Sequence, residues 1–188
     1  MKRGAIILVV IILASLIFGG QLMSGRNTLV TERNQIDAKW AQVDNDMKRR
    51  ADLIPNLVAT VKGYAKQEQT VIAEVANARA ALLGARTRQD EINANTQLSG
   101  ALGRLLVLQE NYPQLKSNEN FLRLQDELAG TENRIAVSRR DYNEAIRQFN
   151  TSVELFPRNI AASLFGFRRD DAYFKATEEE KRVPTVNF

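Results

Sequence analysis

The chain contains no cysteine and no histidine among its 188 residues, and only 4 prolines and 10 glycines. Each absence excludes something. Without histidine there is no imidazole base and no Ser-His-Asp arrangement; without cysteine there is no thiolate, no disulfide and no His/Cys zinc site. So little glycine and proline argues against a turn-rich all-β fold. No phosphate-cradling loop occurs either: Gly100 and Gly103 fall inside a helical pattern, and GALG lacks the GxxxxGK spacing. What remains for catalysis is carboxylates, Ser, Thr, Lys and Tyr. The carboxylates are abundant because helices carry them on their wet faces. No catalytic, cofactor-binding or metal-binding residue is assigned, and the chain reads as a non-enzyme.

Charge of one sign is also scarce. The 26 Lys and Arg stand against 22 Asp and Glu, for a net charge of +4. Acids and bases alternate along the chain, without a basic stripe interleaved with aromatics, so nucleic acid is not an expected partner.

One long apolar run is present. Ala5 to Phe18 reads AIILVVIILASLIF, and no charge occurs between Arg3 and Arg26. Gly4–Met23 is about 20 residues, enough at about 1.5 Å per residue to cross a hydrocarbon core of ~30 Å. A cleavable signal peptide would need small residues at −3 and −1. Cuts after Gly19, Gly20 or Ser24 put Ile17, Phe18 or Leu22 at −3, and there is no cysteine for lipidation. Residues 1–25 are therefore expected to be a retained transmembrane signal anchor, with the lipid bilayer as partner through residues 4–23. Lys2 and Arg3 precede the span, which favours a single-pass protein with its body on the outer side; Arg26 and Arg33 oppose that bias.

The body, residues 26–164, has the pattern of a long antiparallel bundle of three to four helices, making the fold class all-α. Ile36, Trp40, Val43, Met47, Ile54, Leu57, Val61, Tyr64, Val71, Val75 and Leu82 keep one heptad register, with polar gaps at Arg50 and Glu68. That register predicts one helix of roughly 70 Å at 1.5 Å per residue. Pro55 lies inside it and is expected to kink it or split it; the unbroken register favours the kink. GARTRQD (84–90) is a turn, Glu91–Glu110 a second helix, and NYPQLKSN a break after which Ser117 or Asn118 can cap. The final helix steps by three and four through Phe121, Leu124, Leu128, Thr131, Ile135, Ser138, Tyr142, Ala145, Phe149, Ser152 and Phe156, and Pro157 ends it.

Two groups of residues stand out. Arg50 occupies a seam position where a charge must be paired. Asp52 or Glu132 can pair with it, and Glu132, Asn133 and Arg134 of TENR are expected to bond to the opposing long helix. The alternative is a ligand or lipid-phosphate site near Pro55. The second group is apolar. The first helix outreaches the second, so Trp40, Val43 and Met47 are expected to lie uncovered and to meet another copy, making the chain a homo-oligomer. Residues 165–188 form an expected docking tail. Pro184 keeps its neighbour extended, and the spacing of Val186 and Phe188 puts both on one face of a strand, with Phe188 as anchor.

RRADLIPNLVATVKGYAKQE (Arg49–Glu68), NENFLRLQDELAGTENRIAVSRRDYNEAIRQFNTSVELFP (Asn118–Pro157), FGF (Phe165–Phe167) and the closing VPTVNF together resemble the signatures of the LemA family. The resemblance implies a bacterial envelope protein with an N-terminal anchor and a helical bundle, of no agreed enzymatic activity, and the expected location is the inner (cytoplasmic) membrane. It also implies a link to membrane shaping through a magnetosome relative, and a membrane metalloprotease or another membrane protein as partner. Two readings of function follow. One is a self-assembling, membrane-anchored scaffold of the bacterial envelope; the other is a binding module whose bundle groove captures a peptide, lipid or envelope polymer.

Overall fold

The structure is a computed structural model and describes residues 2–175. Among those residues every regular element is helical: α1 (Lys2–Tyr64), α2 (Gln69–Gly84), α3 (Arg88–Val107), a 3₁₀ turn (Leu108–Asn111), α4 (Pro113–Lys116), α5 (Glu119–Glu154) and α6 (Arg158–Phe165). The all-α class with a long apolar N-terminal helix is as expected. The described residues divide into two compact units, one built from residues 2–40 and 141–173 and the other from 41–140 and 174–175.

In the first unit, α1 begins as a bare apolar helix. Its large apolar side chains from Ile6 to Phe18 are between 50% and 67% exposed, as is Met23 at 57%. The stretch is long and apolar enough to cross a membrane, and none of its best window is buried by protein. Beyond Gly25 the same helix acquires cover. Leu29 and Ile36 are buried, and Trp40 packs on Tyr142 of α5 with ring centroids 5.0 Å apart. The two helices run antiparallel, because Glu32 meets Ser152 while Lys39 meets Asp141. α6 ends at Gly166, whose φ of 75° is left-handed and suits glycine alone, and Phe167 N then donates back to the Ala162 carbonyl. Asn150 holds the next stretch: its amide donates to the Asp170 carbonyl at 2.8 Å and accepts from Asp170 N at 2.9 Å. Phe167 sits edge-on to Phe149.

In the second unit the remainder of α1, α2, α3 and the first part of α5 form an antiparallel set of four. α1 and α5 pair in opposite senses, through Asp46 with Ser138, Arg50 with Glu132, and Tyr64 with Asn118. Thr87 caps α3 by accepting from Asp90 N, and Asn118 caps α5 by accepting from Phe121 N.

Three expectations change. The first helix does not run to Leu82. It stays helical through Pro55 and stops at Tyr64, and the break at Ala65–Glu68 lets α2 fold back along α1. Glu68, the polar gap in the register, accepts a hydrogen bond from Tyr112 Oη at 3.0 Å instead of lying on a seam. Second, Trp40, Val43 and Met47 are not uncovered: they are 9%, 0% and 1% exposed. The reason is α5, whose 36 residues supply the cover that the short second helix lacks. Third, ten of the eleven seam residues expected on α5 are buried, but Phe156 is 78% exposed. Val186 and Phe188, the expected anchors of the tail, lie outside the described residues.

Candidate functional site

The polar centre of the second unit is Arg50, a charge placed on an apolar seam and only 2% exposed. Such a group is stable in the interior only if its donors find acceptors. Its guanidinium donates to Ser99 Oγ at 3.0 Å and to the Asn95 carbonyl at 3.3 Å, both on α3. It also donates to Asn95 Oδ1 and to the Glu132 carboxylate of α5. One side chain therefore clips three helices. Burial pushes the Arg50 guanidinium below the usual arginine range, the facing Glu132 pushes it back up, and nearby Arg139 lowers it again.

Of the residues expected around Arg50, the structure brings Glu132 to it and leaves the others aside. Asp52 is exposed and makes none of these contacts. Arg134 does not reach the opposing helix: it is exposed, and its Nη2 donates at 3.4 Å to Thr131 of its own helix. At positions 133 and 134 the helix has turned away from the seam that Thr131 and Ile135 occupy.

Two polar links went unread in the sequence. Asp46 is 6% exposed and accepts from Ser138 Oγ at 2.6 Å and from Gln42 Nε2 at 3.3 Å. Arg79 of α2 donates from Nε to the Ala51 carbonyl at 2.8 Å. Ser138, a seam position of the last helix, thus serves Asp46 with its hydroxyl as well as filling the seam. No local signal marks Asn95 or Arg79, since each acts on a helix distant in sequence.

Beside the Arg50 cluster an open groove of about 800 Å³ runs between α3 and α5, lined among others by Ser99, Gly103, Arg104, Glu132, Arg139 and Phe174. Gly103 leaves its floor open, because an added Cβ there would meet nothing within 4 Å. Arg139 stacks over the Phe174 ring at 4.9 Å, and its Nε is buried without a hydrogen-bond partner. Arg104 lies at the rim, bonded to Glu74 at 2.9 Å. Among the described residues no group of acidic side chains is placed to hold a metal ion. The groove offers cationic nitrogen and an apolar ring, a donor set for anionic or amide groups.

These features define a class: an all-α protein with a first helix fit to cross a membrane and a helical body pinned by a buried arginine. The LemA family model matches residues 39–188, and the chain belongs to the LemA family. It is 27% identical to magnetosome protein MamQ 2 of Paramagnetospirillum magneticum, over 90% of this chain and 71% of the relative. It is 24% identical to magnetosome protein MamQ of Magnetospirillum gryphiswaldense (90% and 72%) and 24% identical to protein LemA of Metamycoplasma hominis (83% and 71%). Neither the family's description nor these relatives' names denote an enzyme.

Proposed function

We propose that the chain is a membrane-anchored, non-enzymatic scaffold of the bacterial envelope that self-assembles and organises membrane or a membrane-protein partner. The observation that carries this reading is the bare apolar start of α1, which passes without a break into the helix that forms the body's core. Such continuity leaves no linker between the apolar run and the covered stretch of α1 that follows Gly25, as a membrane-bound scaffold needs. The likeness to proteins named for the magnetosome supports a role at a membrane. The membrane is the bacterial inner membrane, with the body on its outer side as Lys2 and Arg3 direct. Apolar Val107 and Val137, 67% and 49% exposed, give neighbouring bodies surfaces through which to meet.

The test is fractionation followed by sizing. Full-length protein is expected to stay with membranes under alkaline carbonate and, in mild detergent, to elute as a large regular multimer. Release by carbonate refutes the anchor, and a monodisperse monomer refutes the scaffold. A second reading, a binding module, is favoured by the groove beside Arg139 with its unpartnered Nε. A monomer that retains an envelope peptide or lipid, and loses it on Arg139→Ala, would favour that reading instead.

A further inference from the structure

The 3-4 register of α5 keeps its side chains covered as far as Ser152, and the next apolar positions are not covered. Leu155 is 60% exposed and Phe156 78%. The chain then turns into α6, which is seated against α1 at a particular level. A Cβ added at Gly25 would lie 3.2 Å from Ala161 Cβ, and Ala161 and Ala162 are buried. Arg26 caps the same contact, its guanidinium 5.6 Å from the centre of the Phe165 ring. Gly25 comes two residues after Met23, where the uncharged apolar run of α1 closes.

α6 is therefore held at the point where α1 leaves hydrocarbon, and its outward half is two-sided. Ile160 and Leu164, one turn apart, form an apolar flank; Asn159 and Ser163, also one turn apart, form a polar flank. Ile160 is 38% exposed and Leu164 65%. Arg158 reaches Ser152 Oγ at 3.0 Å and lies 3.8 Å from Glu32, farther along α1 from the apolar run than Gly25. Arg168 follows, exposed. A short helix with one apolar flank, one polar flank and arginines around it is the pattern of a segment lying in a membrane interface.

We infer that α6 lies in the headgroup layer of the membrane that α1 crosses, with Phe156, Ile160 and Leu164 in contact with lipid. The inference rests on α1 being the membrane span. Lipid is the occupant because α6 is seated at Gly25 and Arg26, directly after an apolar run whose exposed Leu16, Ile17, Phe18 and Met23 lipid must cover in any anchored state. An aromatic at the boundary and the exposed Arg168 just beyond α6 fit the same solvent. A second anchoring element of this kind would fix the tilt of α1 as well as its depth.

The absence of cysteine allows single spin labels to be placed cleanly. Full-length protein would carry Leu164→Cys, Phe156→Cys, Asn159→Cys, Val10→Cys (in the span) or Ala38→Cys (exposed on α1), in vesicles of phosphatidylcholine and phosphatidylglycerol. Collision rates with oxygen, which partitions into lipid, and with a polar nickel chelate, which does not, would be compared. The ratio of oxygen to nickel accessibility is expected to be several-fold higher at Leu164 and Phe156 than at Ala38, below that at Val10, and low at Asn159. Nickel access at Leu164 and Phe156 equal to Ala38, with Val10 still protected, overturns the inference while the anchor stands. Exclusion of both reagents from Leu164 means a protein partner covers the patch, and also overturns it. Nickel access at Val10 itself removes the anchor, and the inference falls with it.

Discussion

Arg79 Nε donates to the carbonyl oxygen of Ala51, the acceptor in α1 that Pro55 leaves without an intrahelical donor. In a helix the N–H of residue i serves the carbonyl of i−4, and proline has no N–H to give. Ala51 is fully buried, so water cannot serve it instead. α2, folding back along α1, brings the missing donor. This is how α1 tolerates an internal proline and continues to Tyr64.

Arg79→Met should therefore destabilise the protein by about 1–3 kcal/mol, the penalty for a buried acceptor left unpaired. In a Pro55→Ala background the restored N–H takes the Ala51 carbonyl, and the same substitution should cost less. Denaturant unfolding of the four proteins of this double-mutant cycle, in detergent, measures the coupling. Equal costs in both backgrounds would show that the bond to Ala51 contributes nothing.

The Arg50 cluster makes a graded prediction. Asn95→Ala removes a fully buried acceptor and should cost about 2–4 kcal/mol, within the range for leaving a buried charge short of partners. Glu132→Gln should cost less, because its side chain is 45% exposed and the amide oxygen still accepts. Arg50→Lys should be as damaging as Asn95→Ala, since one ammonium cannot reach both α3 and α5 in the geometry of a guanidinium fork. Thermal unfolding ranks the three.

Trp40 is the only tryptophan, so its fluorescence reports on the core directly. Its position against Tyr142 predicts blue-shifted emission in the folded protein and a red shift on unfolding. Trp40→Ala should cost about 3–5 kcal/mol. Trp40→Glu should lower helicity, rather than dissociate an otherwise intact assembly. Unchanged circular dichroism with loss of assembly would return Trp40 to an interface between copies.

Stability should respond to pH through Glu91. Burial raises its carboxyl above the ordinary 4.5, and the Asp44 carboxylate raises it further, while Lys48 and Arg88 oppose the shift. A carboxyl raised in the folded state favours folding in its protonated form. That contribution is fully present below the unfolded value and is lost as pH rises through the folded one. Glu91→Gln should thus unfold at a higher temperature than the parent at pH 7, with the difference shrinking as pH falls below 4.5. A difference independent of pH would rule out this ionisation as its source.

Gly25→Leu should displace α6 by filling the space that Ala161 occupies, 3.2 Å from where the first added carbon would stand. Far-UV circular dichroism should barely change. Limited proteolysis between α5 and α6, near Leu155 to Asn159, should speed up. No change in cleavage would mean that Gly25 does not govern the seating of α6.

The sequence alone determined which faces are apolar. A 3-4 spacing is a property of the helix itself, so the stripe from Phe121 to Ser152 was legible residue by residue, as were the uncharged span before Arg26 and the cap at Asn118. That Arg50 needed a partner was also legible, because a charge on a seam contradicts its surroundings. What covers a stripe is not local, and only the tertiary structure decided it. Helix lengths alone left Trp40, Val43 and Met47 bare, yet α5 returns along α1 and buries them. Local rules kept Pro55 within one helix, as it is, but that Arg79, 28 residues away from Ala51, serves the carbonyl it frees, and that the chain breaks after Tyr64, was not local. Asn95 and Ser99 hold Arg50 from 45 and 49 residues away. Periodicity says which side of a helix must be buried; the identity of the group that buries it depends on how the turns bring distant helices together.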